Sequence, residues 1–373
     1  MLIGDNAGSA QMVMAAQPAL QRTVVLHIGM HKTASSYIQK RLRKNRALLK
    51  GHGVLIPKCR REECELLRAA CQGRWKPWRR WLDRAEALEC DLLISHEAFS
   101  CRLQKQGPQG LEPRGLWLAQ RLRQQGWGLK LIAFIRDQES YLNSRYTQLI
   151  KRFKAPVDFI DYVTRAMNQD TMSECDLRTL FGWIEQDPLI ETAMIPFGSA
   201  LDPSGAVLQA RPDPYGQLIT ALNLPGDVVN QSRKARSLNQ QPGRLGVALA
   251  RDLRLYLEEH NPKAVRSSAK DLRKAIELLA QQQGWPDEPF NGLDAQLCGT
   301  IRDRYRNSNT SFCQRFWPEV QWDDLFPSRV CSGTSTKETS PMVGDEELKQ
   351  LRALRDKLIA DNVPTQSSKA QVG

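Results

Sequence analysis

The residues best suited to chemistry lie in one short polar stretch near the start of the chain. Residues 24–28 are apolar except for one histidine, and the polar stretch 29–36 follows them. Apolar residues then recur at the spacing of one helix face, at Ile38, Leu42 and Leu49. A strand, loop and helix in this order present free backbone N–H groups at the positive end of the helix, which suits a phosphate or sulfate group. The loop also offers a mobile cation, Lys32, and the hydroxyl groups of Thr33, Ser35 and Ser36.

This loop does not have the spacing of a Walker A motif, which needs four residues between its first Gly and a Gly-Lys-Ser/Thr run. Only Met30 and His31 separate Gly29 from Lys32. Residues 31–36, His-Lys-Thr-Ala-Ser-Ser, instead resemble the 5′-phosphosulfate loop of sulfotransferases that use 3′-phosphoadenosine 5′-phosphosulfate (PAPS), which reads Pro-Lys-Ser/Thr-Gly-Thr-Thr/Ser. His replaces Pro as in bacterial members of that family, and Ala34 replaces Gly.

A second motif follows the apolar run 131–135, which is typical of a strand buried on both faces. Arg136 ends the run, and Ser144 lies eight residues later in a helical segment. An arginine at the carboxyl edge of a parallel sheet can bind a phosphate with two N–H groups. PAPS-dependent sulfotransferases bind the 3′-phosphate with an Arg and a Ser at this spacing, so the resemblance implies the same role here.

Three shorter stretches resemble the same family. Residues 92–97 form an apolar run ending in Ser-His-Glu, where related bacterial enzymes often carry a Ser-Ser-Glu-like triplet. Asn230 with residues 237–239 is similar to an Asn/Ser loop, and residues 306–309, before the aromatic residues Phe312, Phe316 and Trp317, are similar to the family's last helix. The resemblance extends over residues 22 to 320.

The resemblance implies a PAPS-dependent sulfotransferase that transfers a sulfuryl group to a hydroxyl or amine of a carbohydrate or small metabolite, with no metal. Lys32 would neutralise charge on the leaving-group oxygen, and Glu97 would be the general base, with His96 as the second candidate. The implied cofactor-binding residues are His31, Lys32, Thr33, Ala34, Ser35, Ser36, Arg136 and Ser144.

Two other functions remain open at this point. One is a nucleotide-dependent kinase on a related fold, which the missing Walker A glycine and the lack of a clear Mg²⁺-binding Asp after a strand disfavour. The other is a catalytically degenerate nucleotide-binding module, which Ala34 favours. A basic stretch at Arg233, Lys234 and Arg236 matches the family's basic cofactor loop too loosely to carry a role.

Alternating strand and helix patterns predict an α/β fold with a parallel sheet flanked by helices and a helical C-terminal part. The resemblance implies the nucleotide-kinase-like P-loop fold of sulfotransferases. Further strands are predicted at 53–57 and 190–197, a loop at 104–114, and helices at 69–87, 215–222, 244–259, 263–283 and 297–305. The predicted organisation is a flexible tail at 1–20, one domain at 21–330 with a helical flank from about 204, and a C-terminal segment at 331–373. That segment holds a polar linker, an amphipathic helix at 345–361 that docks on the domain or a partner, and a disordered end.

Composition limits the partners and the compartment. The 373 residues carry a formal net charge of +12, which favours an anionic ligand. No zinc-finger spacing or RNA-binding aromatic signature accompanies the charge, so nucleic acid is not expected as the primary partner. The nine cysteines form no Cys-x-x-Cys pair, which predicts reduced thiols, no metal site and a cytoplasmic protein. No apolar run approaches 18 residues, so no membrane span is expected.

Overall fold

The computed structural model describes residues 22–108, 110, 112–154, 156–168, 174–201, 207–208, 212–235, 242–328 and 343–363. Several predictions lie outside the described residues: the tail at 1–20, Arg236 and the stretch 237–239, Cys331, the linker at 332–341 and the chain end after 363.

A five-stranded parallel sheet forms the centre of the fold, which confirms the α/β class. Its strand order is β2-β3-β1-β4-β5, and a separate antiparallel pair is formed by β6 and β7. The strands are β1 (Arg22–Gly29), β2 (Val54–Leu55), β3 (Asp91–Ser95), β4 (Trp127–Ile135), β5 (Glu191–Pro196), β6 (Ala200–Leu201) and β7 (Val207–Leu208). Strand β1 lies between β3 and β4, with His27 opposite Ser95 and Gly29 opposite Phe134.

Helices flank the sheet on both faces. Those before β5 are α1 (Ser35–Lys44), α2 (Arg46–Gly51), α3 (Arg60–Cys71), α4 (Lys76–Glu86), α5 (Ala98–Leu103), α6 (Arg114–Arg123), α7 (Gln138–Lys151), α8 (Phe159–Asn168) and α9 (Leu177–Phe181), with a 3₁₀ turn at Gly182–Gln186. Those after β7 are α10 (Pro214–Ala221), α11 (Asp227–Gln231), α12 (Gly243–His260), α13 (Pro262–Ser267), α14 (Ala269–Gln282), α15 (Ala295–Phe316), α16 (Trp322–Leu325) and α17 (Asp345–Asn362), with a 3₁₀ turn at Trp285–Asp287.

The side chains of β1 alternate between two apolar cores, as the pleat of a strand requires. Val24, Leu26 and Ile28 pack in the larger core together with residues of α7. Val25 packs in the smaller core with Ile38 of α1. Helices α1 and α7 therefore lie on opposite faces of the sheet, although both begin at its carboxyl edge.

The strand connections diverge at one place on this edge. The chain leaves β1 toward β2 on one side of the sheet, and it leaves β4 toward β5 on the other side. Adjacent strands with diverging connections leave a crevice at their carboxyl ends, where α/β proteins bind ligands. The crevice between β1 and β4 lies beside the loop at residues 30–34 and beside Arg136, the two stretches that the sequence motifs indicate.

The C-terminal helix α17 docks on the domain, against α12 and α14. Leu351 and Leu358 are buried there. Glu347 accepts two hydrogen bonds from the Arg244 guanidinium, at 2.8 and 2.6 Å. The sequence predicted that this helix docks on the domain or on a partner, and the structure shows it docked on the domain. Within the residues described, no helix has both the length and the apolar character needed to cross a bilayer.

Candidate functional site

The turn between β1 and α1 has an unusual backbone for a stretch without internal glycine. Lys32 has φ 70°, and Ala34 has φ 58° and ψ 14°, so both residues adopt left-handed conformations that a Cβ makes costly. Gly29, with φ 143°, begins the turn where a Cβ would come within 3.2 Å of the backbone nitrogen of Phe134. The buried Thr33 hydroxyl donates a 2.8 Å hydrogen bond to the carbonyl oxygen of Met30 and so closes the turn.

Within the part of the chain that the structure describes, this conformation leaves a row of backbone donors without partners. Among the described residues, the N–H groups of residues 31–36 donate no hydrogen bond, whereas the carbonyl of Ala34 already accepts the first bonds of α1, from Tyr37 and Ile38. The Ser35 hydroxyl is buried and has no hydrogen-bond partner in the described ranges, while Ser36 is exposed. Six successive N–H groups at a helix N-terminus can bind an anion.

Arg136 lies across the crevice from this turn. Its Nη1 donates a 2.8 Å hydrogen bond to the carbonyl oxygen of Lys32, and its guanidinium lies 5.6 Å from the centre of the Phe197 ring. Its backbone N–H points to the sulfur of Met30 at 3.3 Å. The structure thus joins the two sequence motifs in one place and fixes the arginine against the loop.

Positive charge accumulates around Lys32. Burial, together with the cations Arg136, Lys151, Arg152 and Arg145, lowers the pKa of the Lys32 ammonium from its ordinary value to about 8. Like charges at this density favour the binding of a multivalent anion, which would relieve their repulsion.

Ser144 is buried on α7, the helix that supplies several of these cations. Lys151 lies seven positions further along, so it shares a helix face with Ser144. Because α7 also carries Arg145, which acts on the Lys32 charge, this helix runs past the loop. The structure therefore joins Arg136 directly to the loop of Lys32 and places Ser144, buried, on the helix that carries Arg145 and Lys151.

The two predicted general bases are already engaged by protein groups. The carboxylate of Glu97 accepts hydrogen bonds from Gln39 at 2.8 Å and from Arg60 at 3.2 Å. Burial opposes ionisation of Glu97, but hydrogen bonds to its carboxylate and the nearby His96 and Arg60 outweigh it and hold its pKa below the ordinary value. A carboxylate stabilised in this way is a weak proton acceptor.

The neighbouring His96 is buried, and its Nδ1 accepts a 3.2 Å hydrogen bond from the backbone N–H of Ala98. In the neutral ring the proton therefore sits on Nε2, which lies 3.3 Å from the sulfur of Cys64. Burial lowers the pKa of His96. Neither nitrogen is available to an acceptor group in this arrangement.

Sequence reasoning missed one charged residue of this site, Glu174. Its carboxylate lies 3.8 Å from Nε2 of His31 and 3.4 Å from Nη2 of Arg145, and it accepts a hydrogen bond from the Tyr141 hydroxyl. The Cys101 thiol donates to it at 3.6 Å. Glu174 precedes α9 and belongs to no recognisable motif, so only the fold brings it to the loop.

The described residues contain one group with the donor types of a metal site, namely His31, Cys101 and Glu174, whose ligand atoms lie within 4.8 Å of one another. Two observations disfavour a metal there. Burial, and the negative charge of Glu174, raise the pKa of the Cys101 thiol to about 11, although a thiol must ionise to bind a metal. Arg145 also places a guanidinium against the carboxylate.

The basic stretch near residue 233 lies away from the loop. The side chain of Asn45, at the carboxyl end of α1, exchanges hydrogen bonds with the backbone of Arg233, and Lys44 donates to the carbonyl oxygen of Lys234. A ten-residue helix is about 15 Å long. Arg233 and Lys234 therefore lie about one helix length from the N–H groups of residues 31–36.

The chain was compared with models of known protein families, with curated proteins and with solved structures, and none of them matches it.

Proposed function

We propose that this protein is a sulfotransferase that uses PAPS as its donor and transfers a sulfuryl group to a hydroxyl or amine acceptor. The observation that carries the proposal is the row of N–H groups at residues 31–36, which have no partner among the described residues, together with the cations Lys32 and Arg136. Backbone donors and two cations suit a ligand with more than one anionic group. The resemblance of both motifs to the PAPS-binding loops adds the identity of the donor.

Different residues would bind the two phosphate groups of the donor. The N–H groups of residues 33–36 would hold the 5′-phosphate at the positive end of α1. Arg136 and Ser144 would hold the 3′-phosphate, since Arg136 directly follows β4 at the crevice and Ser144 lies on the next helix at the spacing of the family motif. The donor supplies a sulfuryl group on a phosphate leaving group, and the protein supplies position and charge.

Lys32 is the residue that would assist departure of the bisphosphate leaving group. Negative charge on the bridging oxygen grows as the sulfur–oxygen bond breaks, so an ammonium beside that oxygen stabilises the transition state more than the bound donor. The loop backbone fixes the Cα of Lys32 in its left-handed conformation, next to Arg136. Glu97 and His96 remain predictions for the general base.

The fold and the compartment belong to the same proposal. We place the sheet in the nucleotide-kinase-like P-loop fold, because its central strand β1 delivers the anion-binding loop to the crevice beside β4. The cysteines of the described residues are free thiols, which is typical of a reducing cytoplasm. The net charge of +12 is compatible with an acidic carbohydrate or a small anionic metabolite as acceptor.

Titration calorimetry with three ligands tests the proposal. 3′-Phosphoadenosine 5′-phosphate should bind more tightly than adenosine 5′-phosphate and more tightly than ATP with Mg²⁺. Tighter binding of ATP with Mg²⁺ would instead support the kinase. Tight binding of the bisphosphate without release of labelled sulfate from PAPS to any acceptor in a cell extract would support the binding module.

A further inference from the structure

We propose that the imidazole of His31, oriented by Glu174, accepts the proton of the acceptor group during sulfuryl transfer. The inference rests on the proposed sulfotransferase function and assigns its general base. His31 would be the catalytic residue, and Glu174 would be a positioning residue that acts through it.

The first support is position. His31 directly precedes Lys32, and the same two cations, Arg145 and Arg152, act on the charges of both side chains, so both face one group of basic residues. Its side chain is 24% exposed, whereas His96 is buried. A base has to reach the acceptor proton directly or through one water molecule. His31 meets this requirement better than the enclosed His96.

The second support is the way in which Glu174 is held. Tyr141 and Arg145 of α7 contact one carboxylate oxygen, and Cys101 of α5 donates to the other. The oxygen that faces Cys101 is also the one 3.8 Å from Nε2 of His31. A fixed carboxylate next to one ring nitrogen favours the tautomer with its proton on that nitrogen. The other nitrogen, Nδ1, is then the proton acceptor.

Burial keeps the imidazole of His31 neutral at pH 7, and charges of both signs face it. Burial is the main cause that lowers the pKa of His31 below its ordinary value, and Arg145 and Arg152 act in the same direction. Glu174 and Glu97 raise it. A neutral imidazole can take a proton, and Glu174 stabilises the imidazolium that forms.

The proposed sulfuryl transfer needs no reactant other than PAPS and the acceptor. The acceptor oxygen or nitrogen attacks sulfur and forms the new bond, and the bond from sulfur to the bridging phosphate oxygen breaks. The electron pair of that bond leaves on the bisphosphate, whose charge Lys32 offsets. The acceptor proton moves to Nδ1 of His31 and is later lost to solvent.

Two measurements on the full-length chain test the proposal. The first follows the five histidines by ¹⁵N-edited NMR through a pH titration. Glu174→Gln should lower the pKa of His31, because it removes a carboxylate that raises it. The matched control is Glu259→Gln at the exposed pair His260–Glu259, which has the same 3.8 Å separation. This control should leave the His31 titration unchanged.

The second measurement is the release of bisphosphate from PAPS with water as the probe acceptor. His31→Gln should lower kcat about 10²- to 10⁴-fold, the usual contribution of a general base, with little change in bisphosphate affinity. Glu174→Gln should lower kcat less and move the acidic limb of the pH profile to lower pH, and Glu174→Asp should restore part of the rate. His260→Gln should behave as the unsubstituted protein.

The possible failures are distinguishable. Lack of bisphosphate binding by the unsubstituted protein would overturn the proposed function itself. Normal binding with an unchanged His31 pKa in Glu174→Gln would overturn the His31–Glu174 pair, whether or not water serves as an acceptor. Normal turnover of His31→Gln beside an inactive Glu97→Gln would return the role of base to Glu97.

Discussion

Arg136 donates a hydrogen bond of 2.8 Å to the carbonyl oxygen of Lys32, and this bond joins the end of β4 to the turn after β1. The contact holds the Arg136 side chain against the backbone of the loop that carries Lys32. It also makes Arg136 one of the charges that lower the pKa of Lys32 to about 8, after the larger effect of burial. An anion in this crevice would meet both charges at once.

Arg136→Ala should weaken binding of 3′-phosphoadenosine 5′-phosphate. Hydrogen bonds to charged groups contribute about 1.5–3 kcal/mol each, so the expected loss is roughly 10- to 150-fold in affinity. Binding of adenosine 5′-phosphate should change much less, because it lacks the 3′-phosphate. Calorimetry with both nucleotides measures this, with the exposed Arg79→Ala on α4 as the control. Equal losses for the two nucleotides would remove Arg136 from the 3′-phosphate site.

Bisphosphate affinity should fall as the pH rises through about 8. The ammonium of Lys32 has a lowered pKa in the free protein, and a bound anion raises it again, so binding takes up a proton. Affinity should change little between pH 7 and pH 8, where the ligand phosphates are already dianionic, and fall up to about tenfold per pH unit above pH 8. Calorimetry at pH 7 and pH 9, in buffers of different ionisation enthalpy, detects the proton.

Lys32→Met supplies the comparison for this pH dependence. The variant keeps most of the side-chain length but has no titrating group, so its affinity should be lower and should not change between pH 7 and pH 9. A slope that persists in the variant would assign the proton to another group of the site.

Ala34→Gly should raise the stability of the protein or leave it unchanged, although glycine usually destabilises. An alanine in the left-handed region costs about 1–2 kcal/mol, whereas the extra freedom of glycine in the unfolded chain costs about 0.5–1 kcal/mol. The expected net gain is about 0–1.5 kcal/mol. Ala353→Gly, at an exposed position within α17, should lose about 0.5–1 kcal/mol. Chemical denaturation of both variants gives the comparison, and a matching loss at position 34 would contradict the strain.

Glu97→Gln should lower turnover less than tenfold, since the carboxylate is held by Gln39 and Arg60 and His31 is assigned the proton transfer. The glutamine retains an oxygen that can accept from either partner. Bisphosphate affinity should be unchanged. Steady-state kinetics beside the His31→Gln variant provide the measurement. A loss of 10²-fold or more, with His31→Gln active, would show that Glu97 is the base.

The sequence predicted the strands of the sheet well because they carry a strong local signal. Continuous apolar runs indicated β1, β3 and β4, and the run at 190–197 corresponds to β5, Glu191–Pro196. Helix limits were less accurate. The helix predicted at 69–87 is wrong, because the chain breaks at Gly73, with φ 67°, between α3 and α4. The helix predicted at 263–283 is interrupted at Ser268, and α15 extends to Phe316 instead of ending at 305.

In the candidate site, too, the residues with a strong local sequence signal were predicted and the others were not. Residues 31–36 and Arg136 were identified because each follows a buried strand directly, and parallel strands bring such residues to one edge. Glu174 could not be identified, because its place beside His31 depends on contacts with α5 and α7 that no local pattern encodes. The partners of Glu97 were hidden for the same reason, since Gln39 and Arg60 come from two different helices.

Glu347→Gln should weaken the docking of α17, and the effect should depend on pH. Hydrogen bonds from Arg244 are the main cause that lowers the pKa of Glu347 from its ordinary value to about 2 in the folded protein. A folded pKa below the unfolded one means that the pair stabilises the protein fully above about pH 4.5 and that this contribution is lost as the pH falls toward 2. The difference in thermal midpoint between the unsubstituted protein and Glu347→Gln should therefore be largest at pH 6 and shrink by pH 3.

Glu346→Gln, at the exposed neighbouring position, is the control and should leave the midpoint unchanged at both values. A difference that stays constant between pH 6 and pH 3 would mean that Glu347 acts through packing and not through its charge.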